Sequence, residues 1–352
     1  MQYRKKDPNR LRLGYVALTD AAPILVAAEL GLFSRHGLQV ELSREIGWAT
    51  LRDKLLYGEL DAAHALAGML FSSALGIDAP AADVMTACVL NLHGNAVTIS
   101  RNLWDAGVHD VAGLREEVRR LRGTRRLNFG VVYPFSFHHV QLREWLRTGG
   151  IDPDKDVRIV VVPPAQMYRN LAAGTIDGCC VGEPWNSVAV AHGAGCIVAC
   201  SGKQYPHHME KVLMVRTSFA ESRAREHAAL VSALIEACAW CDAPANRPAL
   251  VDLLARPDRL GLAREVLAPA LEGRFRLGGG RELVCDDFLV FHRHQANAPR
   301  HDRAQTLLHR FVQSGLLADD AAFDSSLLAR LFREDLYASI TRSHTSPALA
   351  DA

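Results

Sequence analysis

The feature that most constrains this chain is the alternation of short apolar runs with segments of helix length. Apolar runs at Leu11–Leu18, Leu38–Leu42 and Leu60–Ala65 each precede a segment with helical character. The three helical segments are Ala22–Phe33, Ala49–Tyr57 and Ala67–Leu75. Strands that alternate with helices are typical of a mainly parallel sheet with helices on both faces. The amino-terminal part of the chain therefore predicts an α/β lobe.

The strand pattern continues to Cys200 and then gives way to helices. Further strand candidates are Asp83–Leu90, Ala96–Ser100, Leu127–Val132, Val157–Val162, Thr175–Val181 and Cys196–Cys200. From Met214 onward the pattern predicts helices alone, at Phe219–Cys241, Arg247–Leu254, Ala263–Leu271, Ala304–Leu316 and Ser325–Leu336. We predict residues 1–97 as the first part of lobe 1, residues 98–206 as lobe 2, and residues 207–352 as a return to lobe 1 with a helical tail.

Length and charge exclude several functional classes. With 352 residues, the chain is long enough for two domains. It carries 40 Lys and Arg residues against 39 Asp and Glu residues, a formal charge of +1. There is therefore no global positive field to attract nucleic acid, and direct binding of RNA or DNA is disfavoured. No apolar run approaches the roughly 18 residues that a membrane-spanning helix needs, so we expect no membrane segment.

Cysteine spacing and the start of the sequence both suggest a reducing compartment. The eight cysteines follow no compact disulfide pattern. Cys238 and Cys241 have the spacing of a redox or zinc pair, but no second pair of ligands stands nearby, so we interpret them as core or surface thiols. The ten residues before Leu11 are polar and charged and lack the features of a secretory leader. We therefore expect a cytoplasmic protein that reports the concentration of a small molecule.

Seven short strings carry a resemblance to a known family. They are Leu-Thr-Asp-Ala-Ala-Pro at 18–23, Ser-Arg-Glu-Ile-Gly-Trp-Ala-Thr at 43–50, Gly-Glu-Leu-Asp-Ala-Ala-His at 58–64, Val-Pro-Pro-Ala-Gln-Met at 162–167, Gly-Thr-Ile-Asp-Gly at 174–178, Gly-Glu-Pro-Trp-Asn at 182–186 and His-Met-Glu-Lys-Val at 208–212. In this order they resemble the nitrate, nitrite and bicarbonate group of ABC-type substrate-binding proteins. The resemblance implies an α/β protein of the type II periplasmic-binding-protein fold, with a ligand cleft between two lobes and a helical tail. We expect no catalytic residue, cofactor or metal.

The absence of a visible leader narrows the resemblance to the cytoplasmic nitrate and nitrite sensors of this family. It implies that the ligand-free sensor holds an RNA-binding antiterminator of the ANTAR class inactive, and that nitrate or nitrite releases it to permit transcription of assimilation genes. Two alternatives stay open. One is the substrate-binding component of an ABC importer for nitrate, nitrite or bicarbonate. The other is an enzyme similar to thiamine-pyrimidine synthases, whose cysteine-rich motif Cys179-Cys180 superficially resembles; the absence of the longer cysteine cluster of those enzymes disfavours it.

The chemistry of nitrate selects the first site candidates. Nitrate is a small planar monoanion and a poor hydrogen-bond acceptor, so its pocket needs in-plane donors, one positive charge and an apolar wall. We predict that Lys211 supplies the charge, the alternative being a solvated lysine. Trp48 follows Gly47 at a predicted helix start, where free N–H groups favour an anion, and could also form the wall; the alternative is a core aromatic. The candidate pocket shows few acids, so we favour nitrate over bicarbonate.

Four histidines are further candidates for ligand contact. His93 stands at the first predicted crossover between the lobes, where nitrate binders of the family can show Gln. By resemblance, His138 aligns with the family's ligand histidine, and a slip of one residue would select His139. His64 ends the third predicted strand, where the loops of open α/β sheets meet ligands. We predict His93, His138 and His64 as ligand-binding residues and keep His139 in a second tier.

The second tier also contains Gly94, Glu183 and Trp185. Gly94 adjoins His93 at the crossover, and the other two follow the predicted strand Thr175–Val181. A carboxylate beside nitrate would repel it. We therefore assign Glu183 to hinge or lobe-closing contacts.

Overall fold

Two separate β-sheets, each covered by helices, form two α/β lobes. The computed structural model describes residues 10–77, 79–318 and 325–345. In chain order its strands are β1 (Arg10–Val16), β2 (Gln39–Glu45), β3 (Ala62–Leu66), β4 (Val84–Met85), β5 (Val89–His93), β6 (Asn95–Ser100), β7 (Leu127–Val131), β8 (Val157–Val161), β9 (Gly178–Gly182), β10 (Gly195–Cys200), β11 (Met209–Arg216), β12 (Arg274–Gly278), β13 (Arg281–Val284) and β14 (Leu289–Val290).

The helices connect and cover these strands. In chain order they are α1 (Ala22–Glu29), α2 (Leu32–Arg35), α3 (Trp48–Leu56), α4 (Ala67–Ala74), α5 (Arg101–Asp105), α6 (Val111–Arg120), α7 (Phe137–Thr148), α8 (Pro164–Ala172), α9 (Trp185–Ala191), α10 (Ser201–Gln204), α11 (Thr217–Ser222), α12 (Ala224–Asp242), α13 (Arg247–Ala255), α14 (Arg264–Glu272), α15 (His301–Gln313), α16 (Ser325–Leu331) and α17 (Glu334–Thr345). Short 3₁₀ turns lie at Thr19–Ala21 and Pro244–Asn246.

The first sheet has the strand order β14-β5-β11-β3-β1-β2, with β4 paired to β11. Its first half is parallel, as the βα pattern predicts, and Leu13 of β1 lies opposite Leu42 on one side and Ala62 on the other. β11 runs antiparallel to both β3 and β5. The sheet is therefore mixed, and strands from both ends of the chain build lobe 1.

The second sheet has the strand order β10-β6-β9-β7-β8. β7 is parallel to β8 and β9, whereas β6 is antiparallel to its neighbours. The chain enters this sheet at Gly94, whose φ of +100° is accessible mainly to glycine. It returns to the first sheet through the segment between β10 and β11. These two crossovers place the ends of β5, β6 and β11 side by side.

The prediction that strands end by Met214 is wrong. β11 continues to Arg216, β14 adds an edge strand to the first sheet, and β12 and β13 form a separate hairpin. The two residues of β14 are too few to show a period, and the hairpin alternates charged with apolar residues on an exposed surface. The hairpin lies on lobe 2, where Arg281 stacks 4.7 Å from the Trp104 ring.

Two predicted helices and one predicted strand are each divided in two. The predicted helix Ala22–Phe33 becomes α1 and α2, separated by Gly31 with a φ of +65°. The predicted helix Ser325–Leu336 becomes α16 and α17 because the chain bonds to Thr86, whose carbonyl accepts the Arg333 N–H at 2.8 Å. The same segment around Thr86 separates β4 from β5. Long-range bonds of this kind leave no local sequence signal.

Three apolar clusters form the cores. One packs α1 and α12 against the first sheet, with Ile24 and Leu234 fully buried. A second covers the opposite face and continues into lobe 2 through Tyr133 and Phe135. The third lies inside lobe 2 around Phe129. The second core therefore joins the lobes through apolar contact as well as through the chain.

No single helix among residues 10–77, 79–318 and 325–345 is long and apolar enough to cross a membrane. One pair, Ala224–Asp242 with Pro244–Ala255, meets the length and composition limits only when taken together, and it bends by 82°.

Candidate functional site

A buried cluster of charged and polar side chains lies between the two sheets. From lobe 1, Asp20 follows β1, His64 lies in β3, and Glu210 and Lys211 lie near the start of β11. Because β11 is antiparallel to β3, its start lies at the carboxyl end of β3, the edge at which open α/β sheets bind ligands. His138 of α7 approaches from lobe 2. We name as the Lys211 cluster the residues Asp20, Trp48, His64, Asn95, His138, Glu210 and Lys211.

The Lys211 ammonium is paired with two carboxylates. Its Nζ lies 2.7 Å from Oδ2 of Asp20 and 2.8 Å from Oε1 of Glu210. An unpaired ammonium in a protein interior costs several kcal/mol, so the two acids allow this lysine to be buried. The alternative that Lys211 is a solvated lysine is wrong, since its exposed fraction is 0%.

Glu210 extends the network across the crossover to lobe 2. Its Oε2 accepts a 2.7 Å hydrogen bond from Nδ2 of Asn95, the first residue of β6. Its Oε1 lies 3.6 Å from Nδ1 of His138. At the other end of the network, Nε2 of His64 lies 3.2 Å from Oδ1 of Asp20. The chain of contacts runs through His64, Asp20, Lys211, Glu210 and His138.

Burial and charge pairing together set the protonation states. Burial alone would raise the pKa of Asp20, but Lys211 and a hydrogen bond with His64 lower it to about 2. Burial raises the pKa of Glu210 above its ordinary value because Lys211 offsets only part of the desolvation. Burial opposes the charge of Lys211, yet the two carboxylates raise the pKa of this lysine. Burial lowers the pKa of His64, and burial with Lys211 lowers the pKa of His138 well below its ordinary range.

The cluster contains buried hydrogen-bonding atoms that lack a partner. Nε1 of Trp48, Oδ1 of Asn95 and Nε2 of His138 are buried and have no hydrogen-bond partner among the described residues. Buried polar atoms nearly always have one. The Trp48 ring lies 5.4 Å from Nζ of Lys211 and 5.7 Å from the His64 ring. The cluster therefore combines a cation, an indole wall and polar atoms that can donate to or accept from a small ligand.

Gly182, the last residue of β9, presents backbone without a side chain to several atoms of the cluster. A Cβ at this position would lie 3.5 Å from Oδ2 of Asp20 and 3.6 Å from both Oδ1 of Asn95 and Nε2 of His138. Three polar atoms from both lobes and the crossover thus converge on a backbone without a side chain. The arrangement suits a ligand of only a few atoms.

Two direct hydrogen bonds hold the lobes together beside the cluster. The Thr19 N–H donates to the Glu183 carbonyl at 2.8 Å. Arg52 of α3 donates through Nη1 to the Tyr133 hydroxyl, also at 2.8 Å. Thr19 and Arg52 belong to lobe 1, whereas Glu183 and Tyr133 belong to lobe 2. The structure is therefore the closed arrangement of the two lobes.

The structure brings four of the five predicted ligand-binding residues into the cluster and leaves His93 beside it. Nδ1 of His93 lies 2.8 Å from the Asp287 carbonyl, and its Nε2 accepts the His207 N–H at 2.7 Å. Burial lowers the pKa of His93 to about 4. Both ring nitrogens are engaged, so a direct ligand contact would require breaking one of these bonds. The position that reaches the cluster from this crossover is Asn95, two residues further on.

The second-tier residues lie around the cluster. His138 lies in the cluster, whereas His139 lies outside it, with its Nδ1 bonded to the Pro134 carbonyl at 2.9 Å. Gly94 accepts the Glu183 N–H at 3.2 Å and lies at the crossover. Oε2 of Glu183 accepts the Ser187 N–H at 3.3 Å, and burial raises the pKa of Glu183 to about 7. Trp185 begins α9 and packs against the core that both lobes share.

Sequence reasoning missed Asp20, Asn95 and Glu210. Asp20 and Glu210 each lie inside a string that resembles the family, so a signal was present for them, and Asn95 lies two residues after the candidate His93. The expectation of few acids in the pocket is wrong, because the two acids lie within 2.8 Å of Lys211. They come from segments almost two hundred residues apart, and only the fold reveals that they share one cation.

Metal ligation is a separate question for a cluster rich in His, Asp and Glu. Within residues 10–77, 79–318 and 325–345, no three His, Cys, Asp or Glu side chains have the geometry to hold a metal ion. The acids of the cluster are committed to Lys211 instead.

Two α/β lobes that are joined by two crossovers, with a charged cluster between them, define the periplasmic-binding-protein fold. The chain matches the crystal structure of the periplasmic nitrate-binding protein NrtA from Synechocystis PCC 6803 with a TM-score of 0.91. The two are 27% identical, and the match covers 97% of this chain and 90% of that chain. The predicted fold is confirmed.

Sequence comparison places the chain in a family. It is 36% identical over 335 residues to the nitrate import ATP-binding protein NrtC of Synechocystis, covering 94% of this chain and 50% of the relative. It is 42% identical over 247 residues to the bicarbonate transport ATP-binding protein CmpC of the same organism, covering 70% of this chain and 37% of the relative. The chain thus spans half of these relatives or less. The model of the NMT1-like family matches residues 4–255, and the chain belongs to that family.

Proposed function

We propose that this protein binds nitrate or nitrite at the Lys211 cluster. The observation that carries the proposal is a lysine ammonium held fully buried between two lobes, beside unpaired polar atoms of Trp48 and His138. Charge-assisted hydrogen bonds are strong in a site from which water is excluded. The indole of Trp48 supplies an apolar wall for the face of a planar anion.

The two acids leave room for an anion on Lys211. An ammonium has three N–H donors. Asp20 and Glu210 accept two of them, which leaves the third for a ligand oxygen. The indole N–H of Trp48 and the His138 ring can add donors from either side of the cleft. A ligand that touches both lobes favours the closed arrangement over the open one.

Isothermal titration calorimetry tests the ligand directly. The purified chain is titrated with nitrate, nitrite, bicarbonate, sulfate and chloride in a non-coordinating buffer. Saturable binding of nitrate or nitrite alone supports the proposal. No binding of either, or binding of bicarbonate alone, contradicts it while leaving the fold unchanged.

The biological role that we propose is that of a cytoplasmic nitrate and nitrite sensor. In this role the open form holds an ANTAR-class RNA-binding antiterminator, and the ligand-closed form releases it. All eight cysteines are free and buried thiols, which supports a reducing compartment. The ligand can act on the partner only through its different affinity for the two forms, with about 1.4 kcal/mol for each tenfold change.

A pull-down with the antiterminator of the same genome tests the sensor role. The ligand-free chain should retain the antiterminator, and nitrate should elute it, whereas chloride should not. Fractionation of native cells should place the chain with cytosolic markers. Recovery from the periplasm, or no complex with the antiterminator, would contradict this role without affecting ligand binding.

The second candidate is the substrate-binding component of an ABC importer for nitrate, nitrite or bicarbonate. The names of NrtC and CmpC, a nitrate and a bicarbonate transport protein, favour it. It predicts co-purification with a permease and ligand uptake that depends on the chain. Neither result is expected for the sensor, so the two roles are separable.

A further inference from the structure

We propose that Glu210 takes up a proton when the anion binds, in contact with His138, so that ligand binding is coupled to the uptake of one proton. This inference rests on the proposed function and identifies Glu210 as a further residue of the binding site. The observation behind it is the arrangement of two carboxylates around a single ammonium, with all three groups buried.

The charge balance of the cluster creates the need for a proton. With both carboxylates ionised and the histidines neutral, the cluster already has one more negative charge than positive charge. A bound monoanion would add a second excess negative charge at the same place. Repulsion between buried charges is strong because little water screens it. Neutralising one acid on binding removes this repulsion.

Geometry selects Glu210 over Asp20 as the acceptor of the proton. Asp20 is held ionised between Lys211 and His64, and its pKa is about 2. Glu210 shares the same ammonium, but burial raises its pKa, and its Oε1 lies 3.6 Å from the unpaired Nδ1 of His138. A protonated Glu210 can donate its O–H to the ligand or to His138. The group that would repel the anion thus becomes a donor.

Several titratable or charged groups among the described residues face Glu210. Nδ1 of His208, the residue before β11, lies 3.9 Å from Oε2 of Glu210, and burial lowers the pKa of this histidine well below its ordinary range. Cys180 of β9 interacts electrostatically with Glu210, and burial raises the pKa of this thiol. The remaining groups around the carboxylate are Asp20, His64, His138 and Lys211. His138 approaches Glu210 from lobe 2, with its Nδ1 3.6 Å from Oε1. Closure of the lobes therefore changes the surroundings of a proton on Glu210.

The test is calorimetric titration of the full chain with nitrate in several buffers of different ionisation enthalpy at pH 8. The dependence of the observed heat on buffer enthalpy gives the number of protons taken up. We expect close to one proton to be taken up per anion bound. In the pH range where this holds, the Kd should rise about tenfold per pH unit. Saturable binding without proton uptake overturns this inference and leaves the proposed function intact. No binding of nitrate or nitrite, checked by equilibrium dialysis, overturns both.

A pair of isosteric variants locates the proton. Glu210→Gln keeps an oxygen for the Asn95 hydrogen bond but cannot be ionised, so uptake should fall to zero and Kd should lose its dependence on pH. At pH 9 this variant should bind nitrate at least as tightly as the wild type. Glu183→Gln removes a buried acid near the cleft that does not touch Lys211, and it should keep the uptake of one proton. Loss of uptake in Glu183→Gln, or its retention in Glu210→Gln, overturns the assignment.

Discussion

The two lobes contribute different chemistry to the cluster between them. Lobe 1 carries the ionisable groups that pair with each other, Asp20, Glu210 and Lys211. Lobe 2 carries His138, which is neutral at ordinary pH, and the bare backbone of Gly182. In the proposed binding mode, therefore, lobe 1 recognises the charge of the ligand and lobe 2 closes over it. We expect substitutions in lobe 1 to abolish binding and those in lobe 2 to weaken closure.

Lys211→Met should have the largest effect, because it removes the cation of lobe 1. Truncating one partner of a buried charge pair costs about 2–5 kcal/mol. The Kd for nitrate should rise roughly 100-fold or more by calorimetry. Asp20 and Glu210 would lose their partner, so their folded-state pKa values should rise and stability should fall as pH rises. Thermal unfolding at several pH values measures this second effect.

The double variant Lys211→Met with Glu210→Gln is the matched control for stability. It removes one of the two uncompensated carboxylates and should recover part of the lost thermal stability without recovering binding. Tight nitrate binding in Lys211→Met would remove this lysine from the site. It would also contradict the assignment of charge recognition to lobe 1 and of closure to lobe 2.

Glu183→Gln should produce the next largest effect, and it concerns stability. Burial raises the folded pKa of Glu183 to about 7 from an ordinary value of 4.5, so folding favours its protonated form. Its stabilising contribution is present below pH 4.5 and is lost as pH rises through 7. The variant should lose this dependence and be more stable than the wild type at pH 8 by about 3 kcal/mol. Thermal or urea unfolding from pH 5 to 9 measures it.

Glu144→Gln is the control for that experiment. Glu144 belongs to lobe 2 as well, but unlike the buried Glu183 it is partly exposed and is paired with Arg310 at 3.0 Å. Its neutral variant should show no gain in stability at alkaline pH. If the two variants behave alike, Glu183 does not make the stability of the protein depend on pH in the way that we expect.

His138→Ala tests closure from lobe 2 and should weaken nitrate binding about tenfold, which corresponds to about 1.4 kcal/mol. The variant keeps the cation of lobe 1, so residual binding should remain, and ligand-induced compaction in small-angle scattering should diminish. His139→Ala is the neighbouring control, since His139 bonds to Pro134 outside the cluster. A larger loss in His139→Ala than in His138→Ala would reverse the assignment of these histidines.

Tyr133→Phe should have the smallest effect. It removes the hydroxyl that accepts the Arg52 hydrogen bond between the lobes. A hydrogen bond of this kind contributes about 0.5–1.5 kcal/mol, so nitrate should dissociate roughly two- to tenfold faster in stopped-flow measurements. Tyr57→Phe is the control, because Tyr57 is 76% exposed. Unchanged dissociation in Tyr133→Phe would show that this bond does not restrain opening.

Local periodicity predicts most of the strands and helices, but it does not predict short edge strands or helix breaks that depend on residues distant in sequence. The run Leu11–Leu18 predicts β1 because buried parallel strands have near-continuous apolar residues. The two residues of β14 offer no period to detect, and the helix break at Phe332 depends on Thr86, which is far away in the sequence. Distant hydrogen bonds of this kind appear only once the chain has folded.

The same limit applies to the site. Lys211, Trp48, His64 and His138 could be selected because each stands in a recognisable string or at a predicted element end. The pairing of Lys211 with Asp20 could not be foreseen, since it joins two segments by way of the antiparallel strand β11. His93 was selected for its place at the first predicted crossover, where nitrate binders of the family can show Gln, but the residue that reaches the cluster is Asn95. A shift of two residues along a turn decides which side chain enters the cleft.

Gly182 has a consequence for how such a pocket can be mapped or redesigned. Alanine scanning removes side-chain atoms at most positions, but at Gly182 it adds a methyl group, and three polar atoms lie within 3.6 Å of that Cβ position. The informative change here is an addition. We expect the methyl group of Gly182→Ala to reduce the space beside Asp20, Asn95 and His138. At this position, therefore, an added atom rather than a deleted one tests the proposed pocket.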